Sequence, residues 1–69
     1  MLMFKELRIA ANLTQKELAE VAGVNVRQIQ KLEYGEISMG NITLINAVAL
    51  ADALGIDDLR VLLGRVNND

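Results

Sequence analysis

Apolar residues recur at helical spacing along nearly the whole sequence, and no stretch sustains the alternation of a half-buried strand. Proline is absent, and the five glycines fall where the apolar periods end. The pattern predicts an all-α domain of five short helices over residues 1–64, followed by a frayed tail at 65–69. The helices are expected at about residues 3–11, 14–22, 25–34, 43–54 and 57–64.

Helix-initiating side chains mark the starts of the second and third helices. Thr14 and Glu17 have the spacing of a capping box, in which the hydroxyl and the carboxylate each accept from the other residue's backbone. Asn25 and Gln28 form a weaker version of the same box. The turn between the two helices, residues 23–25, is only three residues long and begins with glycine. Such a junction predicts a helix-turn-helix, whose second helix can present its outer face to a groove.

The amino-acid composition excludes several classes of function. The chain has 69 residues, 52% of them hydrophobic, which indicates a single folded domain. Cysteine and histidine are both absent, so disulfides, thiolate or imidazole metal sites and a histidine base are excluded. We therefore expect no enzyme, no metal and no cofactor. No signal peptide is evident, and the longest weakly charged run, residues 37–51, is too short to span a membrane, so a cytoplasmic protein is expected.

The outer face of the third helix carries the residues that could bind a nucleic acid, although the net charge of the chain is −2. Arg27, Lys31 and Tyr34 follow one another at helical spacing with Gln30 between them and no carboxylate. Arg27 can offer two donors to guanine, a contact worth about 1–3 kcal/mol of discrimination, and Lys31 can reach a base or a phosphate. The alternative is an ordinary solvated face. Because this face follows the tight turn, we expect Arg27 and Lys31 to contact DNA. For Gln30 and Tyr34 the choice between a DNA contact and a solvated side chain stays open.

Two charged residues lie on stripes that face the core. Arg8 shares its stripe with Leu7, and Glu33 lies beside Ile29 and Leu32. Because charges are rarely buried unless they are paired, Arg8 and Glu33 are predicted to form a structural ion pair.

The fourth helix is apolar nearly all round. Leu44, Ala47 and Leu50 can line a face towards the core, whereas other apolar residues lie outside it. These residues, together with those of the 37–39 loop and the C-terminal part, either fold back onto the core or form a twofold self-association surface. We expect the second, with a candidate homodimer surface of Ile45, Val48, Val61 and Val66.

Four sequence blocks in order resemble the helix-turn-helix family of phage Cro and repressor proteins, the XRE or lambda-repressor-like type. The blocks are LTQKELA at 13–19, AGV at 22–24, IQKLEYG at 29–35 and ADALGI at 51–56. The resemblance covers about residues 4–63 and implies a five-helix DNA-binding domain. It also implies a dimer that binds a pseudo-palindromic operator, and a bacterial, phage or mobile-element origin.

The resemblance implies roles for individual positions. Gln15 and Asn25 fall where relatives touch the DNA backbone, and Val26, Arg27 and Lys31 fall where they most often contact bases. Val26 is predicted to be exposed at the front of the third helix, where it could meet a thymine methyl group.

Two further features bear on phosphate binding. Lys16, in the first turn of the second helix, is expected beside a phosphate. The loop at residues 36–39 carries no positive charge, whereas many relatives have Lys or Arg there.

The expected function is therefore a sequence-specific transcriptional regulator whose partner is double-stranded DNA, with no small-molecule ligand evident. The alternative is a protein-interaction module, such as an antitoxin or adaptor, that keeps the helix-turn-helix. The uncharged loop and the surplus apolar surface favour that alternative.

Overall fold

The computed structural model describes residues 4–62 and confirms the predicted all-α fold. Its helices are α1 (Phe4–Ala10), α2 (Gln15–Ala22), α3 (Val26–Tyr34), α4 (Leu44–Leu54) and α5 (Leu59–Leu62), with a 3₁₀ turn at Met39–Asn41. Within these residues no strand occurs, and no helix is both long and apolar enough to cross a membrane. The predicted domain boundary at residue 64 and the tail at 65–69 lie outside the described residues.

Local side-chain and backbone geometry ends α1 and begins α2. Asn12 adopts the left-handed conformation, with φ of 64°, and this turns the chain out of α1. The Thr14 hydroxyl accepts from the Glu17 N–H at 3.0 Å, and the Glu17 carboxylate accepts from the Thr14 N–H at 2.9 Å. Both halves of the predicted capping box are therefore present, and they satisfy donors that a helix start would otherwise leave unpaired.

The turn between α2 and α3 is held by backbone hydrogen bonds. Gly23 has φ of 71°, and its N–H donates to the Ala19 carbonyl at 2.9 Å. Val24 donates to the same carbonyl at 3.1 Å. The Asn25 side chain then caps α3 by accepting from the Arg27 N–H at 2.8 Å.

The weaker capping box predicted for α3 is wrong in its second half. Gln28 does not reach back to Asn25; its side-chain oxygen accepts from Asn46 Nδ2 at 3.1 Å. Because α4 lies within reach, the Gln28 amide forms a contact between helices in place of a local cap. Asn25 therefore caps α3 alone.

The core forms where α2 packs between α3 and α4, while α1 covers α3 and α5 covers α4. Leu18 of α2, Ile29 of α3 and Leu50 of α4 are completely buried and define its centre. The remaining buried apolar residues are Phe4, Ala19, Leu32, Ala51 and Leu62. The apolar stripe predicted for α3 is the one that the structure buries, and in α2 the buried residues Leu18 and Ala19 likewise leave the opposite face to solvent.

The apolar residues on and near α4 that lie outside its predicted core face fall into two groups, one packed against the core and one exposed. Ile37 and Met39 fold back and pack against the core, whereas Ile45 is 80% exposed and Val48 is also exposed. Leu44 was predicted to face the core, and this is wrong, since it is 70% exposed at the first position of α4. The α4 residues that are buried, Leu50 and Ala51, lie in its second half, so the first turn projects past the core.

The other two residues of the predicted dimer surface are Val61 and Val66. Val61 is half-buried on α5, and Val66 lies outside the described residues.

Candidate nucleic-acid interface

The outer face of α3 carries a shallow depression of about 290 Å³, lined by Arg27, Gln30, Lys31, Tyr34 and Glu36. The Arg27 and Lys31 side chains are exposed, Tyr34 is 68% exposed and Gln30 is half-buried. The structure thus brings together the four α3 residues that the sequence singles out, on a surface open to a partner.

The direction of this face follows from the residues on the other side of α3. Ile29 is completely buried and Leu32 is nearly so, and both belong to the hydrophobic core. Because a helix repeats every 3.6 residues, Arg27 and Lys31 then stand one turn apart on the outer side. Burying the apolar stripe is what exposes the two cations.

The prediction that this face has no carboxylate is wrong at one position, Glu36, which lines the same depression. Gly35 takes the left-handed conformation with φ of 80°, and the Glu36 N–H donates to the Lys31 carbonyl at 2.9 Å. This helix-ending geometry turns the chain back over the last turn of α3. A sequence signal existed, because a glycine that closes a helix places the second residue after the helix beside its last turn.

A second depression, of about 270 Å³, flanks the first half of α3 and is lined by Asn25, Arg27, Gln28, Lys31 and Ile37. Arg27 and Lys31 line both depressions, so the two cations stand on the ridge between them. Asn25 is exposed, but its side-chain oxygen is occupied by the cap of α3. Its amide nitrogen is the part that can still donate to a phosphate.

Val26 was predicted to be exposed, and this is wrong. It is half-buried and packs against the hydrophobic core. The reason is that the first residue of α3 follows directly after the tight turn, where Val24 also packs inward.

The buried ion pair that positions α3 joins Arg8 of α1 to Glu33. Arg8 Nε lies 2.6 Å from Glu33 Oε2 and Arg8 Nη2 lies 3.1 Å from Oε1, so the contact is two-pronged. Arg8 Nη1 also donates to the Leu13 carbonyl at 2.8 Å, which ties the α1–α2 connection to the pair. The pair therefore fixes α3 relative to both preceding helices.

The charges of this pair are mutually stabilised. Burial alone would raise the pKa of Glu33, but the hydrogen bonds from Arg8 and Gln15 outweigh it, and the pKa lies below the ordinary glutamate value. The hydrogen bond to Glu33 raises the pKa of Arg8, against the opposing effect of burial. Both residues are therefore charged near neutral pH, and their role is architectural.

Gln15 serves this same pair. Its side-chain Nε2 donates to Glu33 Oε1 at 3.0 Å, and the side chain is half-buried at the start of α2. One N–H of the amide is thus used internally, which leaves the other N–H as the donor for a phosphate. Lys16, the next residue, is exposed on the same first turn.

Asn46 is a site residue that sequence reasoning missed. Its hydrogen bond to Gln28 joins the first turn of α4 to the first turn of α3, next to Arg27. The Asn46 backbone is itself fixed, since its N–H donates to the Thr43 hydroxyl at 3.2 Å. The packing of α3 and α4 against α2 and the path of the 36–43 loop bring these two turns together, and the sequence pattern does not specify that path.

No group of three acidic or other metal-binding side chains converges anywhere in residues 4–62. The α3 face therefore offers hydrogen-bond donors, two positive charges, an aromatic ring and one carboxylate.

The helix-turn-helix family profile matches residues 4–59 of this chain. The chain therefore belongs to the helix-turn-helix family, in its XRE or lambda-repressor-like branch, whose members are non-enzymatic DNA-binding regulators. No curated protein and no solved structure matches the chain with significance.

Proposed function

We propose that this chain is a sequence-specific transcriptional regulator that reads a pseudo-palindromic operator as a homodimer in the bacterial or phage-infected cytoplasm. The observation that carries the proposal is the exposure of Arg27 and Lys31 on the outer face of α3, directly after the helix-turn-helix turn. In this arrangement α3 enters the major groove, and its first turns meet the base edges.

Each side chain of the α3 face has a chemical role in this docking. Arg27 offers a two-donor fork to guanine O6 and N7, and Lys31 contacts a base or a phosphate. Gln30 supplies an amide that matches adenine or a phosphate, and Tyr34 offers a hydroxyl at the far end of the helix. Val26 is too enclosed to add more than a marginal contact with a thymine methyl group.

The start of α2 supplies contacts that do not depend on sequence. Gln15 and Lys16 lie in its first turn, where backbone N–H groups and the helix dipole also favour an anion. Asn25, at the start of α3, adds an amide donor. These three residues position the domain on the phosphates while α3 reads bases.

Selection from a random duplex library tests the proposal. We expect enrichment of a site with twofold symmetry and half-sites about 34 Å apart, the length of one helical turn of DNA. The enriched duplex should bind with a logarithmic affinity that falls linearly with the logarithm of salt concentration. Failure to enrich any site, with no salt-dependent binding to duplex DNA, would contradict the proposal.

A protein-interaction module is the second candidate, because Leu44 and Ile45 are largely exposed on the first turn of α4, with Val48 exposed one turn on. Such a module would bind a polypeptide through this surface. Its affinity would depend on Ile45 and hardly on Arg27, whereas DNA binding requires Arg27. A wild type that binds the selected duplex and an Arg27→Ala variant that does not would favour the regulator, whereas a wild type that binds no duplex would favour the interaction module.

A further inference from the structure

One carboxylate stands among the cations of the α3 face. The exposed side chain of Glu36 lines the same depression as Arg27 and Lys31. Among the residues that the structure describes, no ion pair within 4 Å joins Glu36 to either cation. Its carboxylate is therefore not held in an ion pair by either of the two cations that share its depression.

The place of this carboxylate is fixed by the backbone. The N–H groups of Glu36 and Ile37 both donate to the Lys31 carbonyl, at 2.9 and 3.4 Å, which closes the end of α3. These two hydrogen bonds hold the Glu36 backbone against the last turn of α3, beside the depression. The C-terminal end of α3 also carries the negative end of the helix dipole.

We propose that Glu36 is a negative determinant of DNA affinity, whose carboxylate repels the phosphates of any duplex seated on Arg27 and Lys31. This inference rests on the proposed function, because it requires α3 to face DNA. At physiological salt, charges interact over a Debye length of about 8 Å, and Glu36 lines the same depression as Arg27 and Lys31, so its carboxylate adjoins whatever those two side chains bind.

The consequence concerns which sites are occupied. Binding to an arbitrary duplex consists almost entirely of phosphate contacts, whereas binding to a matched site adds base contacts. A carboxylate that weakens the phosphate contacts lowers both affinities, and a matched site keeps the base contacts to Arg27 that an arbitrary duplex lacks. Glu36 thus limits residence on unmatched DNA.

The test compares Glu36→Gln, which removes the charge at nearly constant shape, with Glu36→Lys and with Asp52→Asn. Asp52 is an exposed carboxylate of α4, outside the depression, so Asp52→Asn changes the net charge by the same amount. Each protein is titrated by fluorescence anisotropy with the library-selected duplex and with a scrambled duplex, over a range of salt concentrations.

We expect Glu36→Gln to bind both duplexes about two- to fivefold more tightly at low salt, with the gain disappearing at high salt. Glu36→Lys should bind more tightly still, with a salt slope steeper by about 0.9 for one added phosphate contact. Asp52→Asn should match the wild type.

Two results would overturn the inference while leaving the proposed function intact. One is wild-type binding that Glu36→Gln does not change. The other is an equal gain for Asp52→Asn, which would show a net-charge effect. If the wild type binds neither duplex but Glu36→Gln binds, the inference is supported. If neither protein binds, both the inference and the proposed function fail.

Discussion

Arg27 and Lys31 each carry one positive charge, but they differ in what they can recognise. The guanidinium is planar and holds its donors in a fixed fork, whereas the ammonium is a point charge on a flexible stem. A base edge with two acceptors therefore distinguishes the residues, while a phosphate hardly does. Arg27 is exposed on the first turn of α3, so in the proposed docking its fork meets the base edges.

Replacing Arg27 by Lys should separate base recognition from charge. We expect Arg27→Lys to lose about 1–3 kcal/mol of preference at one base pair of each half-site while the salt slope stays within error of the wild type. Competition titrations against single-base-pair variants of the selected duplex measure both quantities. Lys16→Ala is the matched control, since it should weaken binding to all sequences alike. An unchanged base preference in Arg27→Lys would refute the base-reading role.

The Arg8–Glu33 pair is buried with side-chain exposures of 11% and 2%, so removing one partner strands the other. Arg8→Ala should cost about 3–5 kcal/mol in the free energy of unfolding, a loss large enough to unfold so small a domain. Arg8→Met combined with Glu33→Leu should cost much less, because no charge is left buried. Urea denaturation measures both. Comparable losses in the two variants would reject the pairing as the source of the effect.

The same pair gives stability a defined dependence on pH. Because the pKa of Glu33 is lowered in the folded state, its contribution is full above the ordinary glutamate pKa of about 4.3 and is lost as pH falls through the folded value. We therefore expect the stability difference between wild type and Glu33→Gln to shrink steadily below about pH 4.3. Chemical denaturation at a series of pH values measures it. A difference that stays constant down to the acid unfolding of the domain would contradict this assignment.

At the scale of the elements, local chemistry allowed the starts and ends of the helices to be predicted from sequence. Thr14 with Glu17, Asn25 and Gly23 each act on backbone groups within four residues, so nothing distant decides their role. The contact between Gln28 and Asn46 could not be predicted in this way, because its partners are 18 residues apart. A side chain that can cap its own helix will bind elsewhere when another helix comes within reach.

Gly23 gives a direct test of the turn that sets α3 against α2. Its φ of 71° lies in the left-handed region, and a Cβ atom there would meet nothing within 4 Å, so only backbone strain opposes a side chain. Gly23→Ala should therefore destabilise the domain by about 1–2 kcal/mol. Gly23→Asn should cost less, since Asn tolerates this conformation, as Asn12 does here. Thermal unfolding measures both, and equal losses in the two variants would contradict the strain argument.

Part of the candidate site could also be predicted from sequence, because the direction of a helical side chain depends on residues nearby in the chain. The outward direction of Arg27 and Lys31 follows from the helical period and the buried stripe of α3. The exposure of Val26 and the presence of Glu36 at this face were not predicted correctly. Both residues lie at the ends of α3, where the chain no longer follows the helical period. Their exposure is decided by turns, so it depends on where the neighbouring segments run.

At the scale of the whole molecule, a net charge of −2 does not oppose a DNA-binding face, because the charges are separated in space. Asp52 and Asp57 are exposed on α4 and before α5, and Asp58 is paired with Arg60 at 2.8 Å. Neither depression flanking Arg27 and Lys31 includes any of these carboxylates. These three carboxylates therefore lie outside the ridge of Arg27 and Lys31, which Glu36 adjoins, and this separation can orient the approach of the domain to a polyanion.

The apolar first half of α4 is the remaining feature that a single domain does not explain. Ile45 is 80% exposed and Leu44 is 70% exposed, although the core of this small chain is modest. A twofold contact would cover the same residues on both copies. The Gln28–Asn46 hydrogen bond connects this turn of α4 to α3, so such a contact would also restrain α3.

If α4 forms the dimer contact, removing one side chain from it should affect a paired site more than a single half-site. We expect Ile45→Ser to shift the protein from dimer to monomer in sedimentation equilibrium and to lower affinity for the full operator at least tenfold, while binding to one half-site stays nearly unchanged. Ile9→Ser is the matched control, because Ile9 is 56% exposed on α1 and the substitution is the same. A wild type that is monomeric at high micromolar concentration, both alone and on the operator, would contradict a dimer altogether. Equal effects of the two substitutions would place the contact elsewhere than α4.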